Sequence, residues 1–276
     1  MEPIWRKKKI KVKKYVDDNN TVAKVFIKEV PTYQINDRTV KNIRAMESEM
    51  LFKHITTRAT EQGLRVNNSK TTLLTVSGAT SYKASSHIYD EENKRIDSVE
   101  KLKTVGFVFN ERGDVSSQLG ALKSRFRSRT WTLRHLRQTD FSEEELKRFY
   151  TTNIRPIVEY SSVVYHSMIT KEMSHDLEMQ QSRALKNIYG NTYSYSRLLE
   201  LAGLETLQQR REAACIKFAE KTAANPRFSL WFPRRTTRAR SRTQEEFVER
   251  RARTERRKKS PLFYFRRMLN SNRLHY

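Results

Sequence analysis

The chain has 276 residues, with 55 lysines and arginines against 31 aspartates and glutamates, so its formal net charge is +24 at pH 7. This length is enough for one large domain or two small ones with a buried core. A single cysteine, Cys215, excludes an intramolecular disulfide framework and a cysteine-rich zinc module, and it favours a reducing compartment. No apolar stretch approaches the roughly 18 residues that cross a bilayer, so we expect no membrane partner.

The positive charge is concentrated near the two ends, over 6–14 and 234–259, whereas the middle is closer to balance. Charge of this size attracts polyanions, and the abundant intracellular polyanion is nucleic acid. Basic clusters of this kind are also candidate nuclear import signals, so we expect the protein in the nucleus and the cytoplasm. The alternative is a charge that only keeps the protein soluble.

The first 110 or so residues have the pattern of an α+β unit. Alternating residues on both sides of a turn at 17–20 predict a β-hairpin over 9–27. Apolar residues at helical spacing predict an amphipathic helix over 38–62. Strands are predicted at 71–76 and around 105–109.

From residue 115 onward the pattern is helical. Ser142 and Glu145 form a capping box, which predicts a helix start, and Pro156 is expected to kink or end that helix. Further helices are predicted at 174–189, 196–202 and 206–224.

Two adjacent carboxylates, Asp17 and Asp18, are predicted at the tip of the hairpin. Carboxylate oxygens are the ligands that Mg²⁺ prefers, and two-metal phosphoryl transfer uses them to hold the ions against a triphosphate. An ordinary surface turn has the same composition. The spacing alone therefore leaves both interpretations open.

A series of short motifs follows the same order along the chain as in a known family. The strings are Y-V-D-D at 15–18, G-L-R-V-N-N-S-K-T at 63–71, K-T-V-G at 103–106, F-Y-T-T-N-I-R-P-I-V-E-Y at 149–160 and Q-Q-S-R-A-L-K-N-I-Y-G at 180–190. Together they resemble the YxDD motif, the end of the palm, the strand before the thumb and the following helices of reverse transcriptases of non-LTR retrotransposons. Val105 stands where the family usually has leucine.

The resemblance implies roles for several residues. In the family, the first Asp of YxDD coordinates Mg²⁺ together with an Asp on an earlier strand, so Asp17 is the implied metal ligand and Asp18 its support. Mg²⁺ or Mn²⁺ is therefore the expected cofactor. Lys70 is the implied general acid for the departing pyrophosphate. The implied primer-binding residues are Tyr15, Lys103 and Gly106.

The helical segment after the palm-like part would correspond to a thumb. Its cations alternate with Phe126, Trp131 and Leu133, which suits a helix that turns apolar residues inward and cations toward phosphates. The nucleic-acid-binding residues predicted there are Arg125, Arg127, Arg129 and Arg134. The expected partners are an RNA template, a DNA primer duplex and deoxynucleotide triphosphates.

The expected fold class is thus α+β. A partial palm with the YxDD hairpin is expected over 1–112, followed by a thumb-like helical region over 113–190. Additional helices are expected over 191–232 and a basic, arginine-rich tail over 233–276.

The expected function is that of a fragment of an RNA-directed DNA polymerase that binds template and primer and supplies part of a two-metal site. Fourteen residues precede Tyr15, which leaves no room for the fingers or the earlier metal-binding Asp, so we expect no polymerase activity from this chain alone. The alternative is a non-catalytic basic protein, derived from such an element, whose tail stacks aromatic rings on unpaired bases. The aromatic residues in question are Phe228, Trp231, Phe232, Phe263, Tyr264 and Phe265.

Overall fold

The structure is a computed structural model of the chain. It describes residues 11–14, 19–22, 50, 52–76, 87–89, 93–235, 246–249, 251–252 and 254–272. The chain divides into two units, one formed by 1–104 with 109–113 and the other by 105–108 with 114–276. Helices and antiparallel strand pairs both contribute, which confirms the α+β class.

The described strands form three two-stranded sheets. Strands β1 (Lys11–Lys14) and β2 (Asn19–Val22) pair antiparallel, with Lys14 opposite Asn19, which confirms a hairpin in the predicted place. The rest of the predicted hairpin lies outside the described residues. The other sheets pair β3 (His87–Tyr89) with β4 (Arg95–Asp97), and β5 (Lys101–Thr104) with β6 (Phe107–Asn110).

The first unit has a small apolar core beside helix α1, which spans residues 52–61. Phe52, Ile88 and Ile96 are buried together there. The helix ends before Gly63, as predicted, because Gly63 has a φ of +69° that favours glycine. The predicted helix start near residue 38 lies outside the described residues.

Two strand predictions in this part of the chain need correction. The predicted strand at 71–76 is reduced to an isolated bridge between Leu73 and Ser98. The strand predicted around 105–109 is interrupted, because Val105 and Gly106 both have positive φ and form the turn between β5 and β6. Alternation of apolar residues does not reveal such a turn when one of its two residues is valine.

The described helices of the second unit are α2 (Ser116–Leu136), α3 (Glu143–Phe149), α4 (Arg155–Glu159), α5 (Ser162–Tyr165), α6 (Lys171–Tyr189), α7 (Tyr195–Ala202), α8 (Leu207–Ala224), α9 (Glu255–Lys258) and α10 (Pro261–Asn272). From α2 to α8 they follow one another with short connections, and α9 and α10 come later in the chain. The main core lies among the helices from α2 to α8, with side chains such as Phe126, Leu133 and Leu185 fully buried. In the described part of the chain, no helix combines the length and apolarity needed to cross a membrane.

Local hydrogen bonds explain where these helices begin and bend. Ser142 and Glu145 form the predicted capping box at the start of α3. Helix α6 starts three residues before its predicted start, because the Thr170 side chain accepts a hydrogen bond from the Met173 amide. A π-helical turn at Tyr150–Ile154 interrupts the regular helix just before Pro156, where the proline has no amide hydrogen to donate.

A second core contains part of the predicted basic tail. Phe247, Phe265 and Leu269 are buried with Phe232 and Cys215 of the preceding segments. The Asn270 side chain, on α10, exchanges hydrogen bonds with the backbone of Phe247. The described residues of 233–276 therefore include a packed helix as well as exposed arginines.

Buried polar groups connect the helices of the main core. The Tyr150 hydroxyl donates to Oε1 of Gln181 at 2.7 Å, and Nε2 of Gln181 donates to the Glu205 carbonyl at 3.0 Å. On α6, the Glu178 carboxylate accepts hydrogen bonds from the Tyr195 hydroxyl and from the backbone amides of Leu207 and Gln208. A carboxylate at the amino end of α8 is favourable because the helix dipole is positive there.

We expect Tyr150→Phe to lower the free energy of unfolding by about 1–3 kcal/mol, because the fully buried amide of Gln181 would lose the hydrogen bond to its oxygen. Urea denaturation followed by circular dichroism measures this. The matched control is Tyr193→Phe, which removes the hydroxyl of a 43% exposed ring and should change stability by less than about 0.5 kcal/mol. Equal effects of the two variants would contradict this assignment.

Candidate nucleic-acid interface

The predicted catalytic residues are only partly covered by the described structure. Tyr15, Asp17 and Asp18 lie outside the described residues. Lys70 is exposed at the end of a 3₁₀ turn, Asn68–Lys70, where its backbone amide donates to the Asn67 side chain. Within the described ranges, no cluster of three or more His, Cys, Asp or Glu side chains could hold a metal ion.

Of the predicted primer-contacting residues, Lys103 lies on β5 in the first unit, and Gly106 is the second residue of the β5–β6 turn and belongs to the second unit. Lys103 is exposed on β5. Gly106 has a φ of +74°, and a Cβ added to it would lie 2.9 Å from Cε1 of Tyr160. The Tyr160 hydroxyl donates to the Val105 carbonyl at 2.8 Å. The K-T-V-G and R-P-I-V-E-Y motifs therefore meet at this turn.

The four predicted arginines of α2 are all exposed, but they do not share one face. Arg125 and Arg129 are four residues apart and lie together on one side of the helix. Arg127 and Arg134 are seven residues apart and lie on another side. Phe126 and Leu133 are fully buried, as predicted for the inward face.

Trp131 departs from the sequence-based prediction. It was expected to face inward with Phe126 and Leu133, yet 65% of its surface is exposed. Its position, four residues after Arg127, places the indole on the same side of α2 as the Arg127 and Arg134 cations. The His135 ring contacts it edge-on, with 4.0 Å between the ring centroids.

Helices α2 and α6 pack side by side and run in the same direction. At one end, Lys123 of α2 forms an ion pair with Asp176 of α6. At the other end, the Arg137 guanidinium donates to the backbone carbonyls of Asn187 and Ile188, at the carboxyl end of α6. From Lys123 to Arg137 the contact extends about 21 Å at 1.5 Å per residue.

The surface along this contact, which we call the α2/α6 groove, is rich in cations. Its residues are Lys123, Arg127, Trp131 and Arg134 of α2, Arg137 directly after α2, and Asp176, Arg183, Lys186 and Asn187 of α6. Arg134, Arg183 and Lys186 have no ion-pair partner within the described residues. Such side chains are available to an external anion.

Asp176 is the acidic side chain that contacts Lys123 in this groove. The Lys123 hydrogen bond, helped by the positive charges of Lys123, His175 and Arg127, lowers the pKa of the Asp176 carboxyl below its usual value. The carboxylate is therefore ionised at neutral pH and offsets the charge of Lys123. Further along the groove, the charges of Arg134, Arg183 and Lys186 are not offset in this way.

One end of the groove contains a pocket of about 320 Å³. Its lining combines an aromatic ring, three cations and two side-chain amides: Thr130, Trp131, Arg134, Arg183, Lys186, Asn187 and Asn191. Sequence reasoning missed the α6 residues of this set, although Arg183, Lys186 and Asn187 belong to the motif at 180–190. The available signal was helical spacing, because Lys186 and Asn187 lie three and four residues after Arg183 and therefore share one side of α6 with it.

Most of the aromatic residues that were expected to stack on bases in the tail instead pack in the second core. Phe232 and Phe265 are buried in the second core, and Trp231 and Tyr264 pack against it. For these four rings, packing replaces the expected stacking on bases. Cys215 is fully buried in the same core, and burial raises the pKa of its thiol to about 12, which favours a structural role over a reactive one.

Comparisons of the chain with models of protein families, with curated proteins and with solved structures returned no match.

We expect Gly106→Ala to destabilise the protein by at least about 1 kcal/mol, because an L-residue disfavours positive φ and the added Cβ meets the Tyr160 ring. The control is Gly120→Ala within α2, where a Cβ meets nothing within 4 Å. It should stabilise the protein by up to about 1 kcal/mol. Chemical denaturation of both variants measures the difference, and similar stabilities would contradict the turn geometry.

Proposed function

We propose that this chain is part of an RNA-directed DNA polymerase of the non-LTR retrotransposon kind and that its α2/α6 groove binds the template–primer duplex. The observation that carries the proposal is the groove itself, in which two parallel helices present cations along one surface, and three of these cations have no ion-pair partner in the described part of the chain. In this proposal, the first unit is the end of the palm and the helices of the second unit act as a thumb.

The length and the charge of the groove support binding to a nucleic-acid backbone. About 21 Å of helix corresponds to roughly six base-pair rises of 3.4 Å. Guanidinium groups bind phosphate oxygens well because their donors form a planar fork. Contacts of this kind position a duplex without reading its sequence, as a polymerase requires.

The contact between motifs also supports the proposal. Tyr160, in the motif at 149–160, donates a hydrogen bond to the carbonyl of Val105, in the turn of the motif at 103–106. In the proposed function, this turn presents Lys103 and Gly106 to the primer end. The Tyr160 contact would then fix the conformation of this turn, because Val105, Gly106 and Tyr160 belong to the same unit.

We expect the double variant Arg127→Gln/Arg134→Gln to weaken binding of an RNA–DNA hybrid and to flatten its dependence on salt. The slope of log K against log salt should fall by about 1.8, at roughly 0.9 for each lost phosphate contact. Fluorescence anisotropy of the full chain with a labelled hybrid, over a series of salt concentrations, measures this.

The matched control for that experiment is Arg197→Gln, which removes an exposed arginine of α7 that is paired with Glu200. Because the Glu200 carboxylate already offsets that charge, the slope should change little. An unchanged slope in the double variant, or an equal change in the control, would contradict the proposed groove.

The proposed metal site comprises Asp17 and Asp18, whose carboxylates suit Mg²⁺ or Mn²⁺. When bound, the ions would supply the Lewis acidity for phosphoryl transfer. Lys70 is the proposed proton donor to the leaving pyrophosphate.

We expect Asp17→Asn to weaken Mn²⁺ binding by the full chain in the presence of hybrid and nucleotide, because it removes a carboxylate ligand. Calorimetry measures the metal, and anisotropy measures hybrid binding in parallel. Metal binding that does not depend on Asp17, with hybrid binding intact, would favour the alternative of a non-catalytic nucleic-acid-binding protein. The exchange Asp97→Asn, at an exposed aspartate of β4, is the control.

A further inference from the structure

The pocket at the end of the α2/α6 groove differs from the rest of the groove in having an exposed aromatic ring. Trp131 is 65% exposed, and the edge-on contact with His135 orients its indole. Arg134 and Arg183 line the same pocket as this ring and contribute two guanidinium groups to it. A single exposed aromatic residue would need no explanation, but one within a cationic pocket combines a stacking surface with phosphate-binding groups.

A base-paired duplex makes little use of this combination. Its bases are stacked inside the helix, and it offers mainly phosphates and sugars to a protein surface. An unpaired nucleotide offers a free aromatic face as well as a phosphate, and stacking on a ring is available to every base. The chemistry of the pocket therefore matches an unpaired nucleotide better than a duplex.

The size and the amides of the pocket agree with this occupant. A volume of about 320 Å³ lies at the lower end of the roughly 300–1,000 Å³ found for small-ligand pockets, so it suits one nucleotide. Asn187 and Asn191 each bring a side-chain amide that can both donate and accept hydrogen bonds, as the edge of an unpaired base requires.

We propose that this pocket seats one unpaired nucleotide of a nucleic-acid strand, with the base stacked on Trp131 and the phosphate held by Arg134, Arg183 and Lys186. This inference rests on the proposed function, because it assigns a specific role to one end of the same groove. A strand that leaves the duplex at this end of the groove would be held by its first unpaired base. The protein would then recognise the junction between paired and single-stranded nucleic acid.

The test compares single strands that have the same number of phosphates but differ in their bases. The full chain is titrated with labelled oligothymidylate of about 12 nucleotides and with an abasic strand of equal length. The wild-type protein should bind the thymidylate strand about tenfold more tightly, since stacking on a single ring has an effect of this order. Oligouridylate, run in parallel, shows whether RNA and DNA strands are both accepted.

Trp131→Ala should remove this preference and leave the affinity for the abasic strand within about twofold, because the phosphate contacts remain. Trp131→Phe should keep most of the preference, since it retains a ring. Because the indole is exposed, neither variant should perturb folding, which circular dichroism checks.

Two outcomes would overturn the inference. One is equal affinity of the wild-type protein for the thymidylate and abasic strands. If the protein still binds the hybrid in a salt-dependent way, this result contradicts the nucleotide pocket but not the proposed function. If the protein does not bind the hybrid either, both proposals are wrong. The other is displacement of the strand by thymidine monophosphate at concentrations as low as those at which the strand binds. That result would assign the pocket to a free nucleotide instead of a strand.

Discussion

The apolar packing of α2 against α6 is the interaction on which the candidate interface depends. Phe126 and Leu133 on α2 share a fully buried core with Leu185 on α6. Because these side chains set the rotation of both helices, the cations on their outer sides come to lie along one groove. The Lys123–Asp176 ion pair and the Arg137 contact to the last carbonyls of α6 then set the register at the two ends. Loss of that packing would separate cations that are some fifty residues apart in the chain.

The sequence motifs at 149–160 and 180–190 contain both residues that hold the fold together and residues that line the pocket. Tyr150, Gln181 and Tyr160 make hydrogen bonds within the fold, and the first two do so inside the core. A buried polar group without a partner is costly, so such residues align the helices that they connect. Arg183 and Lys186, by contrast, belong to the same motif segment as Gln181 but line the pocket. One helix thus has a structural face and a candidate binding face.

The basic region near the end of the chain shows how composition can mislead. Arginines interleaved with aromatic residues suggest an open arm that stacks on bases, yet Phe247, Phe265 and Leu269 complete a second core. Arg266 lies beside them and donates to the Trp231 carbonyl. The local sequence could not distinguish an open arm from a packed segment, because aromatic residues among arginines are compatible with stacking on bases and with packing in a core. The partners that bury these rings come from α8 and the segment after it.

Local physics let the sequence determine the α+β class, the hairpin site, the capping box at Ser142 and the glycine helix ends, because each depends on residues a few positions apart. The inward face of α2 was also predictable, since periodicity alone separates Phe126 and Leu133 from the arginines. The same spacing places Trp131 on the side of Arg127 and Arg134, which agrees with its exposure. Only the tertiary structure decided that Val105 and Gly106 divide one predicted strand into two, and that α6 supplies half of the groove. These features arise from contacts between distant segments, which no local pattern encodes.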